Sequence, residues 1–394
     1  MGLMQQPGLE DLFSPGDHAR VRAIQELLSP DSLDRLKAQR DGIYQAGLWQ
    51  ELGAAGLFSL MPPPDRSLTG VDAARAVAMM SDALCHDHKS ELDLAIYVHG
   101  LVAALTLHFA RDVTAAAELL GPVQRGEVVF CTAYTDRDPA HPAEGRRHQG
   151  GFLLSGRKWL SVNMPHADFS VVTFQSGAIS HAAILPLRGA GLSRSRTRQS
   201  ASGAMYSQGA LEMDSVFVPQ EYILSSGLQR LRVWNRVMTL SRLLNAVSAA
   251  RLLGRLRCVV EVDLAGRQVL GTAFSKHPAF MRWKAKARAR HTVLQQAITA
   301  TLRDIAGNRF NEAQVAGFKA LAIRDAFELA LNAQDMAGGA GTLAENEIAQ
   351  ITHSLSHHKF SSGGEAQLMS FFGSSLPVPL EHCWPAPSRA GIAS

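Results

Sequence analysis

Two phrases in the middle of the chain decide its reading: Gly156-Arg157-Lys158-Trp159, and Leu211-Glu212-Met213-Asp214-Ser215-Val216-Phe217-Val218-Pro219. Short strand-forming segments surround the first. Val128 to Thr135, Phe152-Leu153-Leu154, Phe169 to Phe174 and Ala182 to Leu187 are rich in β-branched and aromatic residues, with Gly and Pro between them. Several such runs in one stretch predict a small barrel or sandwich.

The texture is helical on both sides. Upstream, Leu28, Leu33, Leu36, Ile43 and Leu48 recur at loosely helical spacing, and Val71 to Leu84 is alanine-rich with an apolar face. Met61-Pro62-Pro63-Pro64-Asp65 interrupts this region as a rigid connector, because proline has no amide to donate. Downstream, segments 228–264, 279–306, 311–337 and 344–372 hold no internal proline and predict a bundle of three or four long helices. The expected division is an all-helical domain over 1–122, a β-barrel domain over 123–226, a helical bundle over 227–375 and an irregular tail over 376–394.

With 394 residues, the chain can build two or three domains with sizeable cores. Its 46% hydrophobic and 19% charged residues are those of a globular chain, and no apolar run approaches the roughly 18–20 residues that span a bilayer. The start, Met1 to Gln6, has no basic region leading into an apolar one, and Gln6 breaks the myristoylation pattern, so cytoplasm is the expected location. Cys85, Cys131, Cys258 and Cys383 are scattered without a C-x-x-C pair, which predicts reduced thiols and neither a zinc site nor a disulfide frame. A net charge of +4 is too small to imply nucleic acid. No G-x-S-x-G, Walker A or H-E-x-x-H motif occurs, so hydrolase, P-loop and zincin readings have no support.

Further landmarks follow in order. Arg242 precedes Arg267-Gln268-Val269-Leu270-Gly271 by 25 residues, with Phe274 and His277 just after, and Gly338-Gly339-Ala340-Gly341 comes later. Arginine is a permanent cation that can grip a diphosphate bidentately, and bare glycine backbone lets amides approach such a ligand. Taken together from about residue 40 to 372, these phrases resemble the acyl-CoA dehydrogenase family of FAD enzymes. The resemblance implies a helical domain, a small β-barrel and a four-helix bundle, and an acyl thioester substrate on coenzyme A or an acyl carrier protein. It also implies a homo-oligomer, dimer or tetramer, in which the arginine and the glycine turn serve the FAD of a neighbouring subunit. By the same resemblance Tyr134, Thr135, Leu160, Ser161 and Val162 flank the flavin ring. Arg267, Gly338, Gly339, Gly341 and Gln367 contact the cofactor elsewhere, and Arg242 supports the substrate wall.

The chain departs from the pattern where chemistry would occur. Thr135-Asp136-Arg137-Asp138-Pro139 lacks the Gly-Ser that usually follows, Leu160 stands where a flavin-stacking aromatic is customary (with Trp159 beside it), and Ser354-Leu355 replaces Arg-Asp. The customary catalytic glutamate is Gly363, and the alternative base position in the first bundle helix is Ser241. Desaturating a thioester needs a base for the α proton, which glycine cannot supply. Glu365 is then the candidate base. Two other classes stay open: a flavin oxygenase, which needs no such base, and a binding descendant without catalysis.

Four remaining patterns have plainer readings. Arg282, Lys284, Lys286, Arg288 and Arg290 form two helical stripes that suit phosphates or an acidic carrier, but also an ordinary solvated or intersubunit face. Arg194, Arg196 and Arg198 fit a charged sheet edge better than a phosphate site. His86-Asp87-His88 points apart on a helix, so no metal is expected, and His357-His358 reads as helix-end histidines unless one serves as base.

Overall fold

The computed structural model describes residues 2–32, 46–60, 67–84, 92–195 and 207–374. Leu33, Leu36, Ile43, the proline connector 61–65, Cys85, His86-Asp87-His88, Arg196, Arg198 and the tail 376–394 lie outside the described residues.

Among the described residues, six α-helices precede the sheet: α1 (Pro15–Leu27), α2 (Ala46–Ala54), α3 (Gly70–Ala83), α4 (Asp93–Tyr97), α5 (Ala104–Phe109) and α6 (Thr114–Gln124). A π-helical turn, Val98–Ala103, joins α4 to α5. Capping boxes open α1 and α3: Ser14 with Asp17, and Thr69 with Asp72, satisfy each other's free amides.

The strands are β1 (Phe130–Ala133), β2 (Glu144–His148), β3 (Gly151–Val162), β4 (Phe169–Ser176), β5 (Ile179–Pro186), β6 (Leu192–Arg194), β7 (Gln208–Pro219) and β8 (Ile223–Ser226). They form one sheet in the order β6-β7-β3-β2-β4-β5-β8, with β1 also paired to β4. The sheet curls round a core of its own: Ala133, Phe152, Leu154, Val172, Phe174, Leu185, Leu211 and Val218 meet in one cluster. Alternation sends the neighbouring residues Val171 and Ile184 to the opposite face, where they pack against α5 and α6. The two opening phrases of the sequence are partners here, since Arg157 and Lys158 lie opposite Glu212 and Leu211 on β3 and β7.

The chain then becomes helical again: α7 (Gly227–Asp263), α8 (Pro278–Ala306), α9 (Glu312–Ala337), α10 (Glu347–Phe360) and α11 (Glu365–Gly373), with a small hairpin of β9 (Gln268–Val269) and β10 (Thr272–Ala273) before α8. The expected run 344–372 is thus two helices. Ser362 (φ 58°) and Gly363 (φ 113°) turn the backbone out of the right-handed region, which no α-helix tolerates. One apolar core unites both helical parts, with Trp49, Phe58 and Tyr97 from the first and Leu243, Trp283 and Ile351 from the second. No helix among the described residues is long and apolar enough to cross a membrane.

Candidate functional site

The rim of the curled sheet carries the first group. Lys158 of the Gly-x-Lys phrase is buried, and its Nζ lies 2.7 Å from Asp136 Oδ1, 3.3 Å from Thr173 Oγ1 and 3.5 Å from the Tyr134 carbonyl. Burial pulls the ammonium below its ordinary range, and Asp136 opposes that shift. Lys158 therefore pins the 134–137 loop to β4. Arg137 N donates to Arg157 O at 3.0 Å and Trp159 N to Thr135 O at 2.9 Å, so the two segments expected to flank a flavin adjoin.

Each residue on this rim has a distinct placement. A one-residue bulge on β3, between the Lys158–Leu211 and Ser161–Gly209 pairs, puts Leu160 at φ 46° with its side chain exposed, as bulges near sites commonly do. Ser161 is buried, Val162 half-buried and Thr135 exposed. The Trp159 ring lies under the Arg137 guanidinium at 5.2 Å. Tyr134 meets Trp234 of α7 edge-on at 4.5 Å, and burial pushes its phenol up to about 12.

One stripe of α7 leads from this rim to a second group. Trp234, Ser241, Asn245 and Ser248 recur at helical spacing. Ser241 Oγ lies 2.6 Å from Ser362 Oγ, Arg242 Nε donates to Ser362 O at 3.3 Å, and Asn245 Nδ2 donates to Ser241 O at 2.7 Å. That donation leaves Asn245 Oδ1 facing His358 Nδ1 at 2.7 Å, so Nδ1 carries a proton. Beyond it lies Asp93 of α4, fully buried, accepting from Ser248 Oγ at 2.8 Å and Arg251 Nη2 at 3.0 Å, with His358 Nε2 at 3.5 Å. Burial works to raise the Asp93 carboxyl, but His358, Arg251 and Ser248 hold it well below the usual carboxylate range.

Lys319 of α9 secures the same loop from the other side. Its Nζ donates to Gly363 O at 2.7 Å and Lys359 O at 3.2 Å, and burial lowers its pKa to about 7. A Cβ on Gly363 would meet Leu368 at 3.0 Å and the Gln367 side chain at 3.4 Å. Glu365 points to Arg324 on α9, 3.9 Å away. His357 is half-buried, which lowers its pKa to about 4.

The third group lies at the far end of α9. Arg267 donates to Ala337 O at 3.2 Å, and its guanidinium is 3.9 Å from where a Gly338 Cβ would sit; Gly339 has nothing within 4 Å. Open glycine backbone facing a cation fits a diphosphate. Gly341 differs, because a Cβ there would press on Gln334 O at 2.6 Å, so its smallness serves the fold. From Lys319 to Gly338 is 19 residues, about 28 Å along the helix. The structure thus brings Tyr134, Thr135 and Leu160 to one rim and Ser241, Arg242, Gly363 and Gln367 to one loop, with Arg267 and the glycine turn apart from both.

Sequence reasoning passed over Asp93, Asn245, Lys319 and Ser362. Only Lys319 had a local signal, as a lone charge within Ala316-Gly317-Phe318-Lys319-Ala320-Leu321-Ala322. Of the other patterns, Arg194 is bound to Met164 O and Ala167 O, while Arg290 pairs with Asp325 at 2.6 Å and Lys284 with Glu261 at 3.1 Å. No cluster of metal-ligating residues occurs among the described residues.

No protein-family model matches the sequence, and neither does any curated protein. Solved structures do match. Glutaryl-CoA dehydrogenase from Mycobacterium smegmatis aligns over 94% of this chain and 97% of its own at TM-score 0.75 and 17% identity. PigA, solved with FAD and proline, aligns over 95% and 98% at TM-score 0.79 and 16% identity. Acyl-CoA dehydrogenase from Geobacillus kaustophilus aligns over 93% and 99% at TM-score 0.79 and 14% identity. The curled sheet between two helical parts is thus an acyl-CoA dehydrogenase fold, and these alignments cover 93–95% of the chain.

Proposed function

We propose that the chain is an FAD-dependent oxidoreductase acting on an acyl thioester borne by coenzyme A or an acyl carrier protein. The observation that carries this reading is the pairing of Arg267 with the open Gly338-Gly339 backbone, on a fold whose solved neighbours include proteins holding FAD. Bound FAD would accept hydride from the substrate. Tyr134, Thr135, Leu160, Ser161 and Val162 would border its ring, Gln367 would approach the cofactor from the Gly363 loop, and Arg267, Gly338 and Gly339 would hold a diphosphate. Arg267 and the turn lie about 28 Å along α9 from the Gly363 loop, whereas the ribityl chain linking ring to diphosphate is far shorter. Each chain's arginine and turn therefore serve a partner's cofactor, in a homodimer or homotetramer.

Within the chain, Arg242 and Lys319 fix the 361–364 backbone, and Asn245 with His358 orients the Ser241–Ser362 hydroxyl pair. These groups shape the wall without abstracting a proton. Glu365 is the carboxylate available as base, from a helix first turn beside Arg324.

One observation favours a second reading, a flavin-dependent oxygenase on this fold. The positive φ of Gly363 strains any side chain at the customary glutamate position, where a Cβ would already sit 3.0 Å from Leu368 Cδ2, and oxygenation needs no α-proton base. A binding descendant without catalysis is the third.

Spectra of purified protein titrated with FAD separate the three. Protein that stays colourless ends both enzyme readings. Yellow protein bleached anaerobically by an acyl thioester supports the dehydrogenase, and Glu365→Gln should then abolish bleaching if that carboxylate is the base. Bleaching only by a reductase, followed by substrate-dependent oxygen uptake, supports the oxygenase.

A further inference from the structure

Between β4, β5 and the first turns of α7 lies a cavity of about 150 Å³, lined among others by Tyr134, Gln175, Ser180, Arg230 and Trp234. Its polar walls divide into committed and uncommitted groups. Asp136 and Thr173 are engaged: Asp136 accepts from Lys158 and from Ala143 N at 2.8 Å, and Thr173 donates to the Tyr134 carbonyl at 3.3 Å. Arg230, Gln175 and Ser180 make no side-chain hydrogen bond among the described residues, and Arg230 Nε is buried. The Arg230 guanidinium rests 5.7 Å over the Trp234 ring, a contact that holds the cation without neutralising it.

A half-buried guanidinium without a carboxylate leaves a charge that folding has partly stripped of water, and such charges are ordinarily paired. Burial lowers the Arg230 pKa, and both Arg147 and Arg230 work against protonation of nearby His181, so the local field is positive. Asp136, the one acid in the wall, is already balanced by Lys158. A planar fork of donors beside two neutral hydrogen-bonding side chains matches a group with two or three equivalent oxygens.

We propose that this cavity binds a small oxyanion, a phosphate or carboxylate group, with Arg230 as its cationic receptor and Gln175 and Ser180 completing its hydrogen bonds. The cavity borders Tyr134 at the sheet rim, so in the flavoprotein reading the anion is a substituent of the substrate or of its carrier arm. That last assignment rests on the flavoprotein reading; the anion site itself does not.

Isothermal titration of the whole protein with inorganic phosphate, and separately with acetate, tests this at low ionic strength. Wild-type protein should bind at least one of them, and Arg230→Gln should weaken binding by roughly ten- to a hundredfold. Arg230→Lys should fall between, because it keeps the charge and loses the fork. Phosphate alone, acetate alone or both would identify the group accepted, and each supports the site. Absence of binding by either anion, or binding unchanged in Arg230→Gln of wild-type melting temperature, overturns it. Should Arg230→Gln melt early, unchanged affinity in the folded Arg230→Lys and a Gln175→Leu, Ser180→Ala variant would overturn it equally. FAD titration of the same samples keeps the two readings apart: colourless protein with Arg230-dependent phosphate binding ends the flavoprotein reading alone, and yellow protein without it ends this one alone.

Discussion

A side chain placed at position 363 would start from a backbone at φ 113°, with Leu368 Cδ2 only 3.0 Å from its Cβ. Holding any L-residue there costs on the order of 1–3 kcal/mol. Gly363→Glu should therefore lower stability by about that amount in urea unfolding and still not permit anaerobic bleaching by a thioester. A variant that bleached at unchanged stability would refute this account of the loop. Lys158 invites a comparable experiment. Its ammonium is buried against Asp136, and removing one member of such a pair strands the other, at a cost of roughly 3–5 kcal/mol when both are deeply buried. Asp136 keeps some exposure, so Lys158→Met should lose about 3 kcal/mol in chemical denaturation. Asp136→Asn in the same background should then add little, and full additivity would show that the pair does not act as a unit.

Helices α7, α8 and α9 begin and end within two residues of where the sequence places them, because uninterrupted helical composition bounded by Gly, Pro and Asn is a local property. Two features of the elements were not local and stayed hidden. Absence of proline made 344–372 look like one helix, although Ser361-Ser362-Gly363-Gly364 supplies the break. The grip on that break is non-local: Ser241 and Ser362 lie 121 residues apart, as do Arg242 and Ser362 within one residue, and Asp93 is met by side chains from α7 and α10. No periodicity in a single chain encodes such meetings. The rim was legible for the opposite reason, since Gly-x-Lys and the 134–137 loop each carry a recognisable phrase, whereas Arg230 and its cavity carry none. The grip makes a prediction at this scale. Lys319→Ala leaves the Gly363 and Lys359 carbonyls without their donor and opens a void, so it should cost about 2–4 kcal/mol. Amide exchange measured by mass spectrometry should accelerate across 360–364, and unchanged protection there would argue that Lys319 is dispensable to the loop.

The whole molecule couples its parts through buried groups, and pH reaches them together. His99 is fully buried, donating from Nε2 to Val123 O at 3.1 Å and accepting Phe130 N–H at Nδ1, which requires a neutral ring. Burial holds its pKa down to about 3, from 6.5. Between those values the unfolded chain binds a proton that the native chain refuses, so stability falls as pH drops from about 6.5 toward 3. Melting followed by circular dichroism should show the loss beginning below pH 6.5, and a flat profile down to pH 4 would remove His99 from the account. Assembly should matter to cofactor retention as well. On the proposed reading of a flavin shared between subunits, Arg267→Gln should lower bound FAD without lowering the melting temperature of apoprotein, and dilution to a monomer should release flavin; colour independent of both would count against a shared cofactor site. The π turn from Val98 to Ala103 has a further consequence for heredity. Wider spacing there absorbs a residue that an α-helix would not, and it sets the angular phase between the two ends of the 93–109 rod. Excising one codon inside it would let the turn close into an ordinary α-helix with its flanks nearly in phase, leaving Asp93 and Tyr97 facing Ser248, whereas the same excision in α5 would rotate everything upstream by about 100°. Single-codon deletions should therefore be tolerated better between Val98 and Ala103 than in the regular helix that follows, which is where length variation along this rod should collect.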